Sequence, residues 1–253
     1  MDAPPTPRHD RRRVLRAFNA SLAFILVLLV VFVAQPALDV GALAVAPGEL
    51  PGLLGLLTAP LLHGSPQHLG ANASAILILG TLAGAVYPRA ILPALPLMWL
   101  GSGIGAWLLG EEASRHLGAS GVTHGLMFLL FVLGLLRRDR ASIAAGMIGF
   151  LFYGSMLLTV LPHEPGISWQ SHMGGALGGA LAALLLRRRD PLPPQPRYSW
   201  EDEEEAAARQ READHAELEL PTPADVPVLW RHADAPPHRV VVQFRPPSPK
   251  PPP

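Results

Sequence analysis

The chain has 253 residues, of which 49% are hydrophobic and only 16% are charged, and it contains no cysteine. Mostly apolar stretches of roughly 18 or more residues, the length that is needed to cross about 30 Å of hydrocarbon, recur along it. The lack of cysteine excludes disulfides and thiolate metal sites. The net charge of zero is the sum of a basic N-terminal part and an acidic C-terminal part. This composition excludes an ordinary soluble domain and indicates a polytopic membrane protein.

The N-terminal segment, residues 1–16, is basic and contains several prolines, and we predict it to be disordered in the cytoplasm. A first span follows at about 17–34 and stops at Gln35-Pro36. Arg11-Arg12-Arg13 precede it as they would in a signal peptide, but no small-x-small cleavage site ends the run and further spans follow. We therefore interpret it as a retained membrane span.

Residues 37–65 are rich in glycine, proline and leucine. They are too interrupted for a span and too apolar for a free loop, which predicts a segment lying in the membrane interface. Five more spans follow, at about 66–87, 91–110, 121–136, 141–161 and 168–186. The predicted fold class is therefore all-α, a polytopic membrane protein with a six-transmembrane-helix domain over residues 17–189.

The character of the chain changes after Arg189. A proline-rich linker, residues 190–198, leads into a strongly acidic stretch, residues 201–219, and the remainder lacks a periodicity that would build a core. We predict that residues 190–253 are a largely disordered cytoplasmic tail, in which the alanines of the acidic stretch allow a short exposed helix. A binding tail is the alternative.

The arginines predict the orientation. With six alternating spans, one side of the membrane carries Arg11 to Arg13, Arg89, Arg137, Arg138, Arg140 and Arg187 to Arg189. The opposite side carries only Arg115, with Glu111, Glu112 and Glu164. Because basic loops stay in the cytoplasm, both termini are expected there. The composition, with Lys250 as the single lysine, is typical of a GC-rich bacterial genome, so the expected location is a bacterial inner membrane.

On this topology four polar residues lie near the outward-facing ends of their helices: His68, Asn72, Ser120 and His172. Polar groups within spans are costly and point to function. Ser120 becomes a nucleophile when a base such as His172 removes its proton. The oxyanion that follows needs donors, which the free N–H groups at the start of a helix and the side chains of His68 and Asn72, one turn apart, are able to supply. The pattern indicates peptide-bond hydrolysis.

Two glycine pairs provide the close approach that this chemistry requires. Gly121 and Gly125 in the fourth span, and Gly175 and Gly179 in the sixth, are each spaced as GxxxG, a motif that brings helix backbones together. His172 lies on the same face as the second pair. Taken singly, each signal has an ordinary explanation, because serines bond their own helix and GxxxG pairs usually serve packing alone. Together they predict that Ser120 and His172 meet.

Three motifs resemble the signatures of rhomboid intramembrane serine proteases: His63-x4-His68-x3-Asn72, Gly118-Ala119-Ser120-Gly121 and His172-x2-Gly175-x3-Gly179. The resemblance covers about residues 17–186 and implies a Ser120–His172 dyad without an acidic third member. It also implies an oxyanion site formed by His68, Asn72 and the backbone of Ser120.

Further implications of the resemblance concern packing and substrates. Gly118 and Gly121 flank the nucleophile, and Gly175 and Gly179 pack against the fourth span. Rhomboid proteases cleave single-span membrane proteins near the outer membrane boundary through an acyl-enzyme, and substrate entry between the second and fifth spans follows by analogy. The expected partners are therefore such substrates and the lipid bilayer, with no nucleic acid and no cofactor or metal.

The chain departs from the family pattern in two places. Its first loop lacks the common Trp-Arg pair, so residues 37–65 are expected to pack differently. One turn after Ser120, where many members have a tyrosine that stacks on the catalytic histidine, this chain has His124. We interpret this imidazole as a substitute for the aromatic platform. The alternative is that His124 titrates and makes activity depend on pH near neutrality.

Other classes of protein fit less well. A zinc protease is unsupported because His163-Glu164 is followed by Pro165-Gly166, and the spans contain no aspartate pair. A metal site built from the outer-side histidines (His63, His68, His116 and His163) is a minor alternative. A transporter would show paired halves with matching broken helices, and none is evident. The main rival is a non-catalytic rhomboid-like protein that binds or escorts membrane clients, although the retention of both Ser120 and His172 favours the enzyme.

Overall fold

The protein is seen in a computed structural model that describes residues 7–162, 166–192 and 198–218. The chain divides into two compact units, Met1–Pro194 and Gln195–Pro253. Among the described residues, the first unit contains six long helices: α1 (Pro7–Ala34), α2 (Pro66–Val86), α3 (Ile91–Leu109), α4 (Ser120–Arg137), α5 (Arg140–Tyr153) and α6 (Trp169–Leu186). A π-helical turn at Ile76–Gly80 interrupts α2, and a 3-10 turn at Gly154–Leu157 extends α5. The described residues contain no β-strand, which confirms the all-α prediction.

Five stretches of the described chain are long and apolar enough to cross a membrane: Arg11–Ala37, Pro66–Val86, Ile91–Leu109, Ser120–Arg137 and Arg140–Leu157. The sixth predicted span, α6, is not among them. Gln170, Ser171 and His172, together with its glycines, lower its hydropathy. These polar residues are buried within the bundle, so the helix does not present them to lipid.

The beginning of α1 corrects one prediction. We expected residues 1–16 to be disordered, but the described part of this segment, from Pro7 onward, is helical and continuous with the first span. Once the apolar stretch is helical, each added residue gains a hydrogen bond without a new nucleation cost. Arginine has a good helix propensity, and its long side chain reaches polar surroundings from a helix near the interface.

The first loop consists of short helical turns, which are Gln35–Ala37, Val40–Leu43, Pro51–Leu53, Gly55–Thr58 and Ala59–Leu61. Its outer surface exposes leucines, with Leu50 at 77% and Leu57 at 60% exposure. Its inner surface is fixed to α3, where the indole N–H groups of Trp107 and Trp99 donate to the carbonyls of Glu49 and Leu57. Exposed leucines on an anchored loop are the surface that the predicted interfacial segment requires.

Helix α6 packs between α3 and α4 at backbone distance. On the α4 side, a Cβ added to Gly175 or Gly179 would overlap the carbonyl oxygen of Gly121 or Gly125. On the α3 side, a Cβ on Gly178 would overlap the carbonyl of Leu97 in the same way. The predicted glycine pairs therefore meet each other directly, and larger side chains would separate the helices.

The arginine-rich end of the bundle is closed by a buried clamp. Arg137, at the end of α4, bonds Asp139 and Ser142 and donates to the carbonyls of Arg187 and Asp190. Asp190 is 4% exposed, and its carboxylate accepts the backbone N–H groups of Arg89 and Ala90. Asp190, where we predicted the tail to begin, thus lies within the bundle because it caps the turn between α2 and α3.

In the second unit, the described residues form one exposed helix, α7 (Ser199–Leu218). It coincides with the acidic stretch and includes an exposed i, i+4 ion pair between Arg209 and Glu205. The rest of the predicted disordered tail, residues 193–197 and 219–253, lies outside the described residues.

We predict that Gly179→Ala lowers the stability of the bundle by about 1–3 kcal/mol, because the new methyl group has no space against α4. The measurement is unfolding of the purified protein in increasing denaturing detergent, followed by circular dichroism. Gly70→Ala in α2 is the matched control, since its Cβ would meet nothing within 4 Å. Equal stability of the two variants would contradict the packing described here.

Candidate active site

Ser120 is the first residue of α4 and is held by the preceding glycine loop. Gly118 has φ +116°, a conformation that favours glycine, and its N–H donates to the carbonyl of Ala59 at 2.9 Å. A Cβ on Gly118 would lie 2.7 Å from Nε2 of His68, so the imidazole of His68 lies directly against this loop. Gly118 therefore permits both the turn into α4 and the approach of His68.

His172 lies at hydrogen-bond distance from Ser120, with 2.9 Å between its Nε2 and the serine Oγ. Its Nδ1 is 3.0 Å from the backbone carbonyl of Thr159. A carbonyl only accepts, so the proton of a neutral imidazole resides on Nδ1 and the lone pair of Nε2 faces the serine hydroxyl. This tautomer is the one in which histidine accepts the proton of Ser120.

His124 stacks on His172, with ring centroids 3.9 Å apart and an interplanar angle of 13°. Its Nδ1 is 2.6 Å from the carbonyl of Ser120, and its Nε2 is 2.9 Å from the Thr159 hydroxyl. Because the carbonyl must accept, Nδ1 donates, and the Thr159 hydroxyl, which also lies 3.1 Å from the carbonyl of Met156, shares its one proton between that oxygen and Nε2 of a neutral His124. Thr159 thus holds one histidine by its backbone and the other by its side chain.

His68 and Asn72 lie one turn apart on α2, as the motif predicted. Asn72 is 4% exposed, and its Nδ2 has no hydrogen-bond partner among the described residues. A buried amide N–H2 without a partner is costly, and it is a donor available to a ligand. His68, half-buried, lies between Gly118 and the ring of His63.

His63 is fully buried 5.1 Å from His68, between ring centroids, and Gln35 holds its backbone through two hydrogen bonds. Burial and the neighbouring His68 lower the pKa of His63 to about 4. Neither of its ring nitrogens has a hydrogen-bond partner within the described residues. His63 is therefore a neutral packing partner for His68.

Gly121, the second glycine beside the nucleophile, is completely enclosed. A Cβ there would overlap the hydroxyl of Ser102 on α3 and would lie 2.7 Å from the carbonyl of Ser171 on α6. Of the four predicted packing glycines, Gly121, Gly175 and Gly179 lie in close contact with the backbone of a neighbouring helix, whereas Gly118 lies against the side chain of His68.

His116 connects the loop before Ser120 with the start of α6. Its Nδ1 is 2.6 Å from the hydroxyl of Ser168, the residue that caps α6 four positions before His172. Its backbone pairs with Val45 of the first loop in both directions. Burial lowers the pKa of His116, although Glu111 opposes this shift. The contact fixes the helix that carries His172 relative to the loop that carries Ser120.

Thr159 and the His116–Ser168 contact were missed by the sequence analysis. Thr159 belongs to no motif, and the only available signal was a polar residue near the outer end of the fifth span. The metal-site alternative receives no support from the described residues, where no group of three or more His, Cys, Asp or Glu side chains is placed to hold an ion. His163, one of its four candidates, lies outside those residues.

Comparison with known proteins identifies the family to which the chain belongs. The Rhomboid domain family matches residues 51–189, which include every candidate site residue. An uncharacterized protein of Mycobacterium tuberculosis is 37% identical over 150 residues, which are 56% of this chain and 62% of the relative. An uncharacterized protein of Mycobacterium leprae is 37% identical over 142 residues, 53% of this chain and 56% of the relative. The match therefore spans less than two thirds of each relative, and the chain itself is an integral membrane protein that belongs to the rhomboid family.

Proposed function

We propose that this protein is an intramembrane serine endopeptidase. The observation that carries the proposal is the 2.9 Å contact between Ser120 Oγ and His172 Nε2, in the tautomer that the Thr159 carbonyl selects. A nucleophile, a base within hydrogen-bond reach and a group that orients the base are the three parts of a serine hydrolase. Here a backbone carbonyl is the orienting group, in the position where other serine hydrolases use a carboxylate.

The reaction follows from this geometry. Ser120 Oγ attacks the carbonyl carbon of the scissile peptide bond while His172 Nε2 takes the hydroxyl proton. The tetrahedral intermediate collapses when His172 gives that proton to the leaving amine, which breaks the C–N bond and leaves an ester on Ser120. Water, deprotonated by His172, then hydrolyses the ester and restores both residues.

The oxyanion of the tetrahedral intermediate requires donors that are in place before the reaction. The backbone N–H groups at the start of α4 have no partner within that helix, and Ser120 is its first residue. The unpartnered Nδ2 of Asn72 supports its assignment as a second donor. The ring of His68, against Gly118, is the third.

The substrates that we propose are single-span membrane proteins cut near the outer boundary of a bacterial inner membrane. The arginine-rich end of the bundle, which includes Arg89, Arg137 and Arg187, would face the cytoplasm together with both termini. Ser120 is at the opposite end of α4 from Arg137 and would face outward. Substrate would enter from the lipid between α2 and α5, where Ser74 and Tyr153 form a weak hydrogen bond at 3.4 Å.

We predict that wild-type protein in liposomes cleaves a generic single-span substrate, and that Ser120→Ala and His172→Ala abolish cleavage. Each substitution removes an atom that forms or transfers a bond in the proposed reaction. The measurement is the appearance of product by gel and mass spectrometry. Matched controls are Ser199→Ala and His215→Ala, both exposed in α7, and both should cleave as wild type does.

A fluorophosphonate probe separates this proposal from its rival. Labelling of wild type but not of Ser120→Ala is expected, since only an activated serine reacts. Folded protein that neither cleaves nor labels, and that retains membrane clients on purification, would establish the non-catalytic alternative.

We predict that Asn72→Ala lowers kcat about 10²-fold or more, with little change in KM, because the donor acts on charge that develops in the transition state. Its amide nitrogen has no partner among the described residues, so the melting temperature should stay close to that of wild type. Gln67→Ala, an exposed amide on the same helix, is the control. An Asn72→Ala enzyme with normal kcat would remove this residue from the oxyanion site.

We predict that His124→Tyr retains activity and that its pH–rate profile overlays that of wild type between pH 5 and 8. An aromatic ring at this position preserves the stacking on His172, whereas His124→Ala loses an interaction of about 0.5–1.5 kcal/mol, or up to roughly tenfold in rate. A limb of the wild-type profile that disappears in His124→Tyr would show instead that His124 titrates.

A further inference from the structure

A deep cleft lies between α1 and the rest of the bundle, away from Ser120. Helix α1 touches α2 through small residues, where Ala17 faces Gly84 and Ser21 faces Gly80. Beside this contact, α1 and α3 diverge around a partly open cavity of about 780 Å³. Its walls are apolar, from Phe24 and Leu92 among others.

Three arginines line the same cleft at its cytoplasmic end: Arg13, Arg16 and Arg89. Arg13 is half-buried and the other two are exposed, and none of the three forms an ion pair with a carboxylate whose side chain the structure describes. Asp190 also lines the cleft, but both of its carboxylate oxygens accept backbone N–H groups at the turn between α2 and α3. The mouth of the cleft therefore keeps an excess of positive charge.

An apolar channel with a cationic mouth is complementary to a molecule with a hydrocarbon tail and an anionic head. A transmembrane helix about 10 Å wide and 30 Å long would need on the order of 2,400 Å³, about three times the cavity. The arginines at the mouth would attract soluble anions, but such anions would not enter the apolar interior, because a charge there is costly to desolvate.

We propose that this cleft binds one anionic phospholipid of the leaflet at the arginine end. Its phosphate lies among Arg13, Arg16 and Arg89, and an acyl chain lies between α1 and α3. The chain would reach Val122 and Leu126, which form the α4 side of the cleft on the helix that begins at Ser120. The lipid would fill the space between α1 and α3 that lies beside the small-residue contact of α1 with α2.

The test is lipid binding by native mass spectrometry of the full chain, delipidated in neutral detergent and titrated with phosphatidylglycerol or phosphatidylcholine of identical acyl chains. We expect one tightly held phosphatidylglycerol and weaker phosphatidylcholine binding. Each arginine near an anionic headgroup contributes about a fivefold gain in affinity, so Arg13→Gln combined with Arg89→Gln should lower phosphatidylglycerol affinity about 25-fold. Ala20→Trp, which fills the cleft, should weaken both lipids.

Arg188→Gln is the matched control, an exposed arginine at the same end of the bundle but outside the cleft. Equal affinity for the two lipids would overturn the proposal, because the arginines would then not select the headgroup. An equal loss in Arg188→Gln would overturn it in favour of unspecific surface charge. Displacement of bound lipid by inorganic phosphate, or crosslinking of position 20 to a substrate helix instead of lipid, would also overturn it. Circular dichroism verifies that each variant is folded, and no outcome depends on protease activity.

Discussion

The site depends on the backbone contact of α6 with α4. Gly175 and Gly179 allow α6 to lie directly on the carbonyls of Gly121 and Gly125, and this distance determines whether His172 reaches Ser120. In lipid no hydrophobic effect pulls two apolar helices together, so van der Waals contact between close backbones must supply the association. The same feature makes α6 less apolar than the other five long helices, because glycines and the polar residues of the site replace the leucines of an ordinary span. One face of α6 therefore carries both the glycines that pack against α4 and the histidine that contacts Ser120.

The environment also explains how His172 is oriented. A carboxylate beside it would have to be buried near a membrane-spanning bundle, where a charge is expensive to desolvate. The carbonyl of Thr159 selects the same tautomer without a charge, and the Thr159 hydroxyl holds the stacked ring of His124. His124 in turn bonds the carbonyl of Ser120, which closes a neutral network over two helices, α4 and α6, and the loop after α5. A fully neutral site is consistent with a position beside hydrocarbon.

The sequence predicted the relations that follow from the spacing of residues within one helix. It did not predict the contacts between residues that lie far apart in the chain. Helical periodicity related His172 to Gly175 and Gly179, and His68 to Asn72, so the residues on these faces were predictable. Thr159 was not, because its position follows from the irregular turn after α5 and from no repeat or motif. The clamp of Arg137 and Asp190 joins residues 53 positions apart, and its arginine had been interpreted only as a signal of orientation. The helical start of α1 was missed because an arginine-rich segment has no apolar periodicity, although it continues a helix without difficulty.

The network around Thr159 limits how a substrate could enter. Helix α6 is fixed at both ends, by His116 at Ser168 and by Arg137 at the carbonyls of Arg187 and Asp190. The α3–α4–α6 core is therefore poorly suited to open, which leaves α2 and α5.

The end of α5 leads directly into Thr159, so any displacement of that end would withdraw the carbonyl that orients His172. The opposite wall of the proposed entrance, α2, carries His68 and Asn72, whose proposed role begins only once the oxyanion forms. A lateral opening that begins at the weak Ser74–Tyr153 contact and leaves the end of α5 in place would admit substrate while the base keeps its tautomer.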